Sequence, residues 1–213
     1  MVRSMDWAIF HAVNAGVATR EWLEDPVTAL ADALVPLYAL ATVALWLLAR
    51  PYGNPRWKLA SASALAAAAV ALAVNQVISH LWARPRPFAD HPDLTHVLTA
   101  RTTDPSFPSD HAAAAFAIAF AVLAFSRRAG ALFLVAATAI GLSRIALGMH
   151  YPSDVLAGAL VGFGAATLVT TLGSPWIGRL VGLVSRVTDP LLRPVWAWGR
   201  RLLPASRVSH LDR

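Results

Sequence analysis

Charge is scarce in this chain, so the place where an arginine, a histidine and an aspartate fall together carries the first argument. The stretch Ser143-Arg144-Ile145-Ala146-Leu147-Gly148-Met149-His150-Tyr151-Pro152-Ser153-Asp154 sets Arg144 six residues before His150 and Asp154 four residues after it, between two long apolar runs. An arginine can grip an anion through two parallel N–H donors, and a histidine can attack an electrophile or carry a proton. An aspartate four residues on can hydrogen-bond the second ring nitrogen and orient the imidazole. A second polar region precedes it, bounded by Arg84-Pro-Arg-Pro-Phe88 and Ser106-Phe-Pro-Ser-Asp-His111. It is the longest polar segment of the chain, and loops of that length tend to be functional.

The elements that must position these residues follow from composition. The chain has 213 residues, 57% hydrophobic and 14% charged, with a mean hydropathy of +0.54. A soluble domain carries nearer a quarter charged residues, so a polytopic membrane protein is the expected class. The net charge of +6 comes from arginine, Lys58 being the only lysine. Arginines grouped outside apolar runs suit anionic lipid headgroups, and the aromatic-interleaved basic surface of a nucleic-acid binder is missing. No cysteine is present, which excludes disulfides and thiolate metal sites. Residues 1–25 lack the basic start and apolar core of a cleavable signal.

The expected fold is all-α, a membrane helix bundle of about five transmembrane helices with interfacial amphipathic helices at the N-terminus and C-terminus. Met5 to Trp22 reads as the first interfacial helix. Spans are expected at about 26–48, 59–82, 109–125, 131–147 and 152–172, the first long enough for roughly 30 Å of hydrocarbon. Gly158, Gly162 and Gly164 offer a small-residue face for helix packing. The tail 175–213 carries Arg179, Arg186, Arg193 and Arg200 at sevenfold spacing with tryptophans among them, a basic amphipathic segment on an anionic leaflet interrupted by Pro190 and Pro194. The tryptophans read as interface anchors, Asn75 and Gln76 as contacts between helices, and His11 as an interface residue. With no repeat or linker visible, 1–213 reads as one membrane-embedded domain with its core at 26–172.

Arg50, Arg56, Lys58, Arg127, Arg128 and the tail arginines fall on one set of loops, against Arg3, Arg20 and Arg101 on the other. The positive-inside rule then puts the N-terminus outside and the tail in the cytoplasm, and both polar loops emerge on the outer face. Arg84, Arg86, Arg144, Ser109, Asp110, His111, His150 and Asp154 are thereby gathered at one membrane surface. Converging arginines and the free N–H groups of a helix starting after Ser109 make an anion site. Two histidines can divide phosphoryl transfer, one attacking phosphorus and the other protonating the departing oxygen and later activating water.

Arg86-Pro87, then Pro108-Ser109-Asp110-His111, then Ser143-Arg144-x5-His150-x3-Asp154 resemble the three signature motifs of the type-2 phosphatidic acid phosphatase superfamily, K-x6-R-P, P-S-G-H and S-R-x5-H-x3-D. The form Arg-Pro-Phe, the start Met5-Asp-Trp-Ala-Ile-Phe-His11 and His150-Tyr-Pro-Ser-Asp154 look most like its bacterial undecaprenyl-diphosphatase branch, linked to bacitracin resistance. The resemblance implies that His150 is the nucleophile, Asp154 its orienting partner and His111 the general acid and then base, with Arg86, Arg144 and Ser109 on the phosphoryl oxygens. It implies no metal and no cofactor. Ser79 stands where the first motif has lysine, a charge that Arg84 or His80 is placed to supply, and Asp110 replaces the glycine of the second, where it can pair with Arg84 or Arg86. Asp90, His91, Asp93 and His96 lack regular ligand spacing and read as a solvated lid or headgroup-contact loop.

The implied activity is hydrolysis of undecaprenyl diphosphate to undecaprenyl phosphate at the outer face of a bacterial cytoplasmic membrane, recycling a cell-wall carrier lipid. Phosphatidic acid, phosphatidylglycerol phosphate or diacylglycerol diphosphate are the alternative substrates. A non-enzymatic alternative is antibiotic export or sequestration.

Overall fold

The computed structural model describes residues 2–202. Residues 203–213, which the tail reading includes with Arg207 and Arg213, lie outside the described residues, as do the side chains of Arg3, Arg200 and Arg201. The helices in chain order are α1 (Val2–Ala18), α2 (Glu21–Leu47), α3 (Arg56–Leu81), α4 (Pro87–Asp90), α5 (Asp110–Phe125), α6 (Arg127–Ala146), α7 (Pro152–Thr171) and α8 (Ser174–Leu202), and no strand occurs among the described residues.

α2, α3, α6 and α7 are each long and apolar enough to cross a membrane. The remaining expected span, α5, is apolar but 16 residues long, about 24 Å of helix. It can be short because it packs against α3, α6 and α7, and Ala112, Ala113, Ala115, Ala117, Ile118, Ala119, Ala121 and Val122 bury nearly its whole circumference in protein. Small residues make that possible. Ala60, Ala64, Ala67 and Ala71, alternately four and three apart on α3, have no exposed surface; where lipid is as apolar as leucine, such close backbone approach drives helix association. On α7, a Cβ added at Gly158 would lie 2.6 Å from the Ser109 carbonyl, and one at Gly162 2.6 Å from the Ala113 carbonyl. Gly164 does not share this face and has nothing within 4 Å, since two residues turn a helix by about 200°. The Tyr38 hydroxyl on α2 donates to the Ala115 carbonyl at 2.7 Å and so ties α2 to the central helix.

At one end of the bundle α8 is clamped to the start of α3 and to the end of α2 with the turn after it. Buried Lys58 donates to Asp189 and, at 3.2 Å, to Ser185, while Asp189 also accepts from the Tyr52 amide at 3.0 Å. The Trp196 indole donates to the Leu47 carbonyl and Arg56 Nε to the Phe125 carbonyl. The expected interruption at Pro190 and Pro194 does not occur; α8 runs through both. The four-residue spacing stacks both prolines on one exposed face, where the carbonyls they leave without partners meet solvent or headgroups. Burial raises the Asp189 carboxyl, but the Lys58 hydrogen bond and the Tyr52 amide hold it below the ordinary carboxylate range. A depressed folded pKa contributes stability that is present above the unfolded value and lost as pH falls through the folded one. Lys58→Met is therefore expected to cost about 3–5 kcal/mol at neutral pH, whereas Lys58→Met with Asp189→Leu costs far less, because no lone charge is left buried. Denaturant unfolding in detergent at neutral pH checks both.

Candidate active site

At the opposite end, two helix termini and one loop converge. α6 closes with Gly148 at φ +80°. The Gly148 amide donates to the Ile145 carbonyl at 3.1 Å and the Met149 amide to the Arg144 carbonyl at 3.0 Å, the paired bonds of a Schellman stop. This turn throws His150 back across the bundle end. A Cβ at Gly148 would lie 2.5 Å from the His96 carbonyl, so Gly148→Ala meets both an unfavourable φ and a clash. It is expected to cost about 2–3 kcal/mol, read as a lowered melting temperature of the purified protein.

His150 is 4% exposed, and its two ring nitrogens are differently engaged. Nδ1 lies 2.8 Å from the Ser106 carbonyl and Nε2 lies 3.2 Å from Arg86 Nη1. A carbonyl only accepts and a guanidinium only donates, so the proton sits on Nδ1 and Nε2 presents its lone pair. Arg86 is fixed by its Nε donating to the Asp104 carbonyl at 2.9 Å and its Nη1 to the Met149 carbonyl at 3.0 Å. Burial lowers its pKa, against the fields of Asp104, Asp154 and Asp110.

The hydrogen bond expected from the imidazole N–H to Asp154 is not formed. Asp154 Oδ2 stands 3.8 Å from His150 Nδ1 and accepts from the Ser106 hydroxyl at 2.5 Å and the Tyr151 amide at 2.9 Å. Asp154 lies in the first turn of α7, where a carboxylate serves the free amides of the helix start. Its influence on the ring passes through Ser106 and through charge.

Arg84 donates to Asp154 Oδ1 at 2.7 Å, to the Ser153 hydroxyl at 2.7 Å and to Asp6 at 2.8 Å, with its guanidinium 3.9 Å from the Tyr151 ring centroid. Burial pulls its pKa down, but the hydrogen bond to Asp6 and the charges of Asp154 and Asp6 outweigh it and raise the pKa. Asp110 has neither arginine as hydrogen-bond partner; it accepts from Asn75 of α3 at 2.9 Å. Ser109 is fully buried at the N-cap of α5, its own amide donating to the Asp154 carbonyl at 3.0 Å.

Arg144 and His111 differ from these committed groups. The only side-chain bond of Arg144 is a long one, 3.4 Å from Nε to its neighbour Ser143, so both Nη groups lack a protein acceptor among the described residues. His111, exposed on the first turn of α5, makes no hydrogen bond among the described residues, and the charges of Arg144, His150, Asp110 and Arg86 all bear on its ring. The arrangement thus offers a held lone pair, a free guanidinium and a free imidazole at one bundle end. That is what in-line transfer of a tetrahedral anion requires.

The roof of this end is α1. The expected helix Met5 to Trp22 is bounded differently: α1 ends at Ala18 and Trp22 belongs to α2, and Asp6, Phe10 and Asn14 bury one face of α1 in protein while Met5 and Ile9 stay exposed. The Asn14 amide donates to the His96 and Ala146 carbonyls at 2.7 and 2.8 Å, and its oxygen accepts from the His96 amide at 2.9 Å. Trp7 packs on the loop, 3.8 Å between centroids from His91. The 91–108 loop is anchored to the bundle by buried Thr95 and Ser106, while Asp90, Asp93 and His96 stay exposed. Asp6, Asn14, Ser106 and Ser153 escape a motif search. The signal that could have found the first two is their four-residue spacing with Phe10, a polar-apolar-polar stripe that suits protein better than lipid.

The chain belongs to the PAP2 superfamily, whose family model matches residues 60–177. It is similar to the undecaprenyl-diphosphatase BcrC of Bacillus subtilis (strain 168), 32% identical over 188 residues, covering 88% of this chain and 94% of that one. It is 37% identical over 165 residues to the bacitracin transport permease protein BcrC of Bacillus licheniformis, covering 76% and 79%. Two solved structures share the fold: LpxE of Aquifex aeolicus, with TM-score 0.62, 24% identity and coverage of 76% and 92%, and the transmembrane PAP2-type phosphatidylglycerolphosphate phosphatase of Bacillus subtilis, with TM-score 0.57, 24% identity and coverage of 82% and 87%. The protein is a multi-pass membrane phosphatase of this family.

Proposed function

We propose that this phosphatase acts as a single domain that removes the terminal phosphate of undecaprenyl diphosphate, with the site on the outer face of the bacterial cytoplasmic membrane and α8 on the cytoplasmic side. The carrying observation is the orientation of His150, whose lone pair on Nε2 points to where Arg86 now sits. A phosphoryl group displaces Arg86 from Nε2 and receives its N–H donors, together with those of Arg144 and the α5 start at Ser109. Nε2 then forms a bond to phosphorus while the P–O bond to the bridging oxygen breaks. That oxygen takes a proton from His111 and leaves as undecaprenyl phosphate. In the second half His111 removes a proton from water, the water oxygen bonds phosphorus, and the N–P electron pair returns to Nε2 as phosphate departs. Basic residues gathered on one set of loops, Arg56, Lys58, Arg127 and Arg128 among them, support the sidedness.

The long prenyl chain stays in lipid while the diphosphate reaches the end of the bundle, and the sequence likeness to an undecaprenyl-diphosphatase supports that substrate over other lipids. Phosphate release by purified protein, measured across prenyl diphosphates, phosphatidic acid, phosphatidylglycerol phosphate and diacylglycerol diphosphate, tests it. Preference for a glycerophospholipid by kcat/KM overturns the assignment of substrate and leaves the mechanism. The name of the Bacillus licheniformis relative raises transport as a second reading. The polar groups of the two bundle ends are separated by the apolar core of α3 and α5, which offers no path across, and bacitracin protection that outlasts loss of His150 would favour transport.

A further inference from the structure

We propose that Asp6 of α1 is a positioning residue that leaves the carboxylate cluster beside His150 with a net negative charge, by claiming half of the one guanidinium, Arg84, that would otherwise balance the charge of Asp154. This rests on the phosphohistidine reading above. Arg84 Nη1 donates to Asp154 Oδ1 at 2.7 Å and Nη2 to Asp6 Oδ2 at 2.8 Å. Two carboxylates and one arginine sum to one negative charge, whereas Arg84 with Asp154 alone would sum to zero. Asp6 and Asp154 are 7% and 0% exposed, so water screens neither well. Asp6 is itself held, accepting from the Ser153 amide at 2.9 Å and the Ser153 hydroxyl at 2.5 Å.

The chemistry needs that charge. When Nε2 bonds phosphorus the imidazole becomes cationic, with Nδ1 3.8 Å from Asp154. The cations Arg86 and Arg144 favour the phosphoryl oxygens but oppose a positive ring. The other carboxylates that reach the site act elsewhere: Asp104 and Asp110 on Arg86, Asp110 on His111, and Asp32 on Arg144, while Asp90 accepts from the Tyr151 hydroxyl. The net negative charge of the α1–α7 pair is the counterweight on the ring's other side. A first helix that the sequence marks only as interfacial thereby contributes to the charge balance of catalysis.

Full-length protein in detergent is compared as wild type, Asp6→Asn, Asp6→Glu and Ser153→Ala, with undecaprenyl diphosphate as substrate and melting temperature as a check on folding. Asp6→Asn keeps the shape and loses the charge. It is expected to lower kcat roughly 10- to 30-fold with KM within twofold. Asp6→Glu, which restores the charge, and Ser153→Ala, which removes hydrogen bonds only, are expected to stay within about threefold of wild type. Should Asp6→Asn fold poorly, Asp6→Asn with Ser153→Asp puts a carboxylate back against Arg84 and is expected to recover most of kcat. Wild-type kcat in Asp6→Asn, equal losses in Asp6→Asn and Asp6→Glu, or no recovery in the double variant overturns the role of Asp6. Failure of the underlying reading looks different: wild type releases no phosphate, or His150→Ala releases it normally.

Discussion

His150→Ala is expected to lower phosphate release about ten-thousand-fold or more, with no phosphoenzyme trapped on acid-free quenching. The alanine variant loses the Nε2 lone pair but keeps free Arg144 and the capped start of α5, so lipid substrate still binds. Free imidazole, entering the space left by the ring, is expected to restore part of the turnover by taking the phosphoryl group itself. Two hydrogen bonds vanish with the ring, one to the buried Ser106 carbonyl and one from Arg86, and a modest fall in melting temperature should accompany the loss. Undiminished release from folded His150→Ala removes the phosphohistidine mechanism.

His111→Ala is expected to produce the second-largest effect, about 10²- to 10⁴-fold on lipid diphosphate, and to divide by step. In the first half His111 gives its proton to the leaving oxygen, so an aryl phosphate, whose leaving group needs little help, should phosphorylate the variant almost as fast as wild type. The second half still lacks its base. The variant is therefore expected to give one rapid burst of aryl alcohol followed by slow turnover, with phosphoenzyme accumulating. Equal loss on both substrates without a burst assigns the proton transfers to another group. The exposed position of His111, free of hydrogen bonds among the described residues, suits a group that must trade protons with both substrate and water.

The membrane class, the approximate positions of the long helices and the motif residues at one bundle end were legible in the chain itself, while Asp6, Asn14, Ser106 and Ser153 were not. Apolar runs longer than a core helix needs are a local property, and so is the spacing of Arg144, His150 and Asp154. Where expectation and structure part, the reason is non-local. The short span at 109–125 is itself expected, but its cover by α3, α6 and α7 is something no periodicity in residues 110–125 reports. α8 passes through Pro190 and Pro194 because both face outward and Asp189 is anchored just before them on Lys58, 131 residues away in sequence. Gly164 sits outside the helix contact that Gly158 and Gly162 share, a matter of angle around α7.

The same division runs through the site. Residue types and their spacing alone pointed to arginines, histidines and carboxylates gathered at one end of a membrane bundle, because such charge in an apolar chain is costly unless used. Only the tertiary structure decided how its charges pair. The imidazole proton is held by the Ser106 carbonyl, 44 residues before His150, and Asp110 turns to Asn75. Arg84, which the sequence offered as a substitute for the missing lysine at Ser79, lies between Asp154 and Asp6, 78 residues before it. Hydrogen-bond partners so far apart in the chain leave no mark on local spacing. They exist because α1 folds back over the site and buries Phe10 and Asn14, closing a network that no single segment encodes.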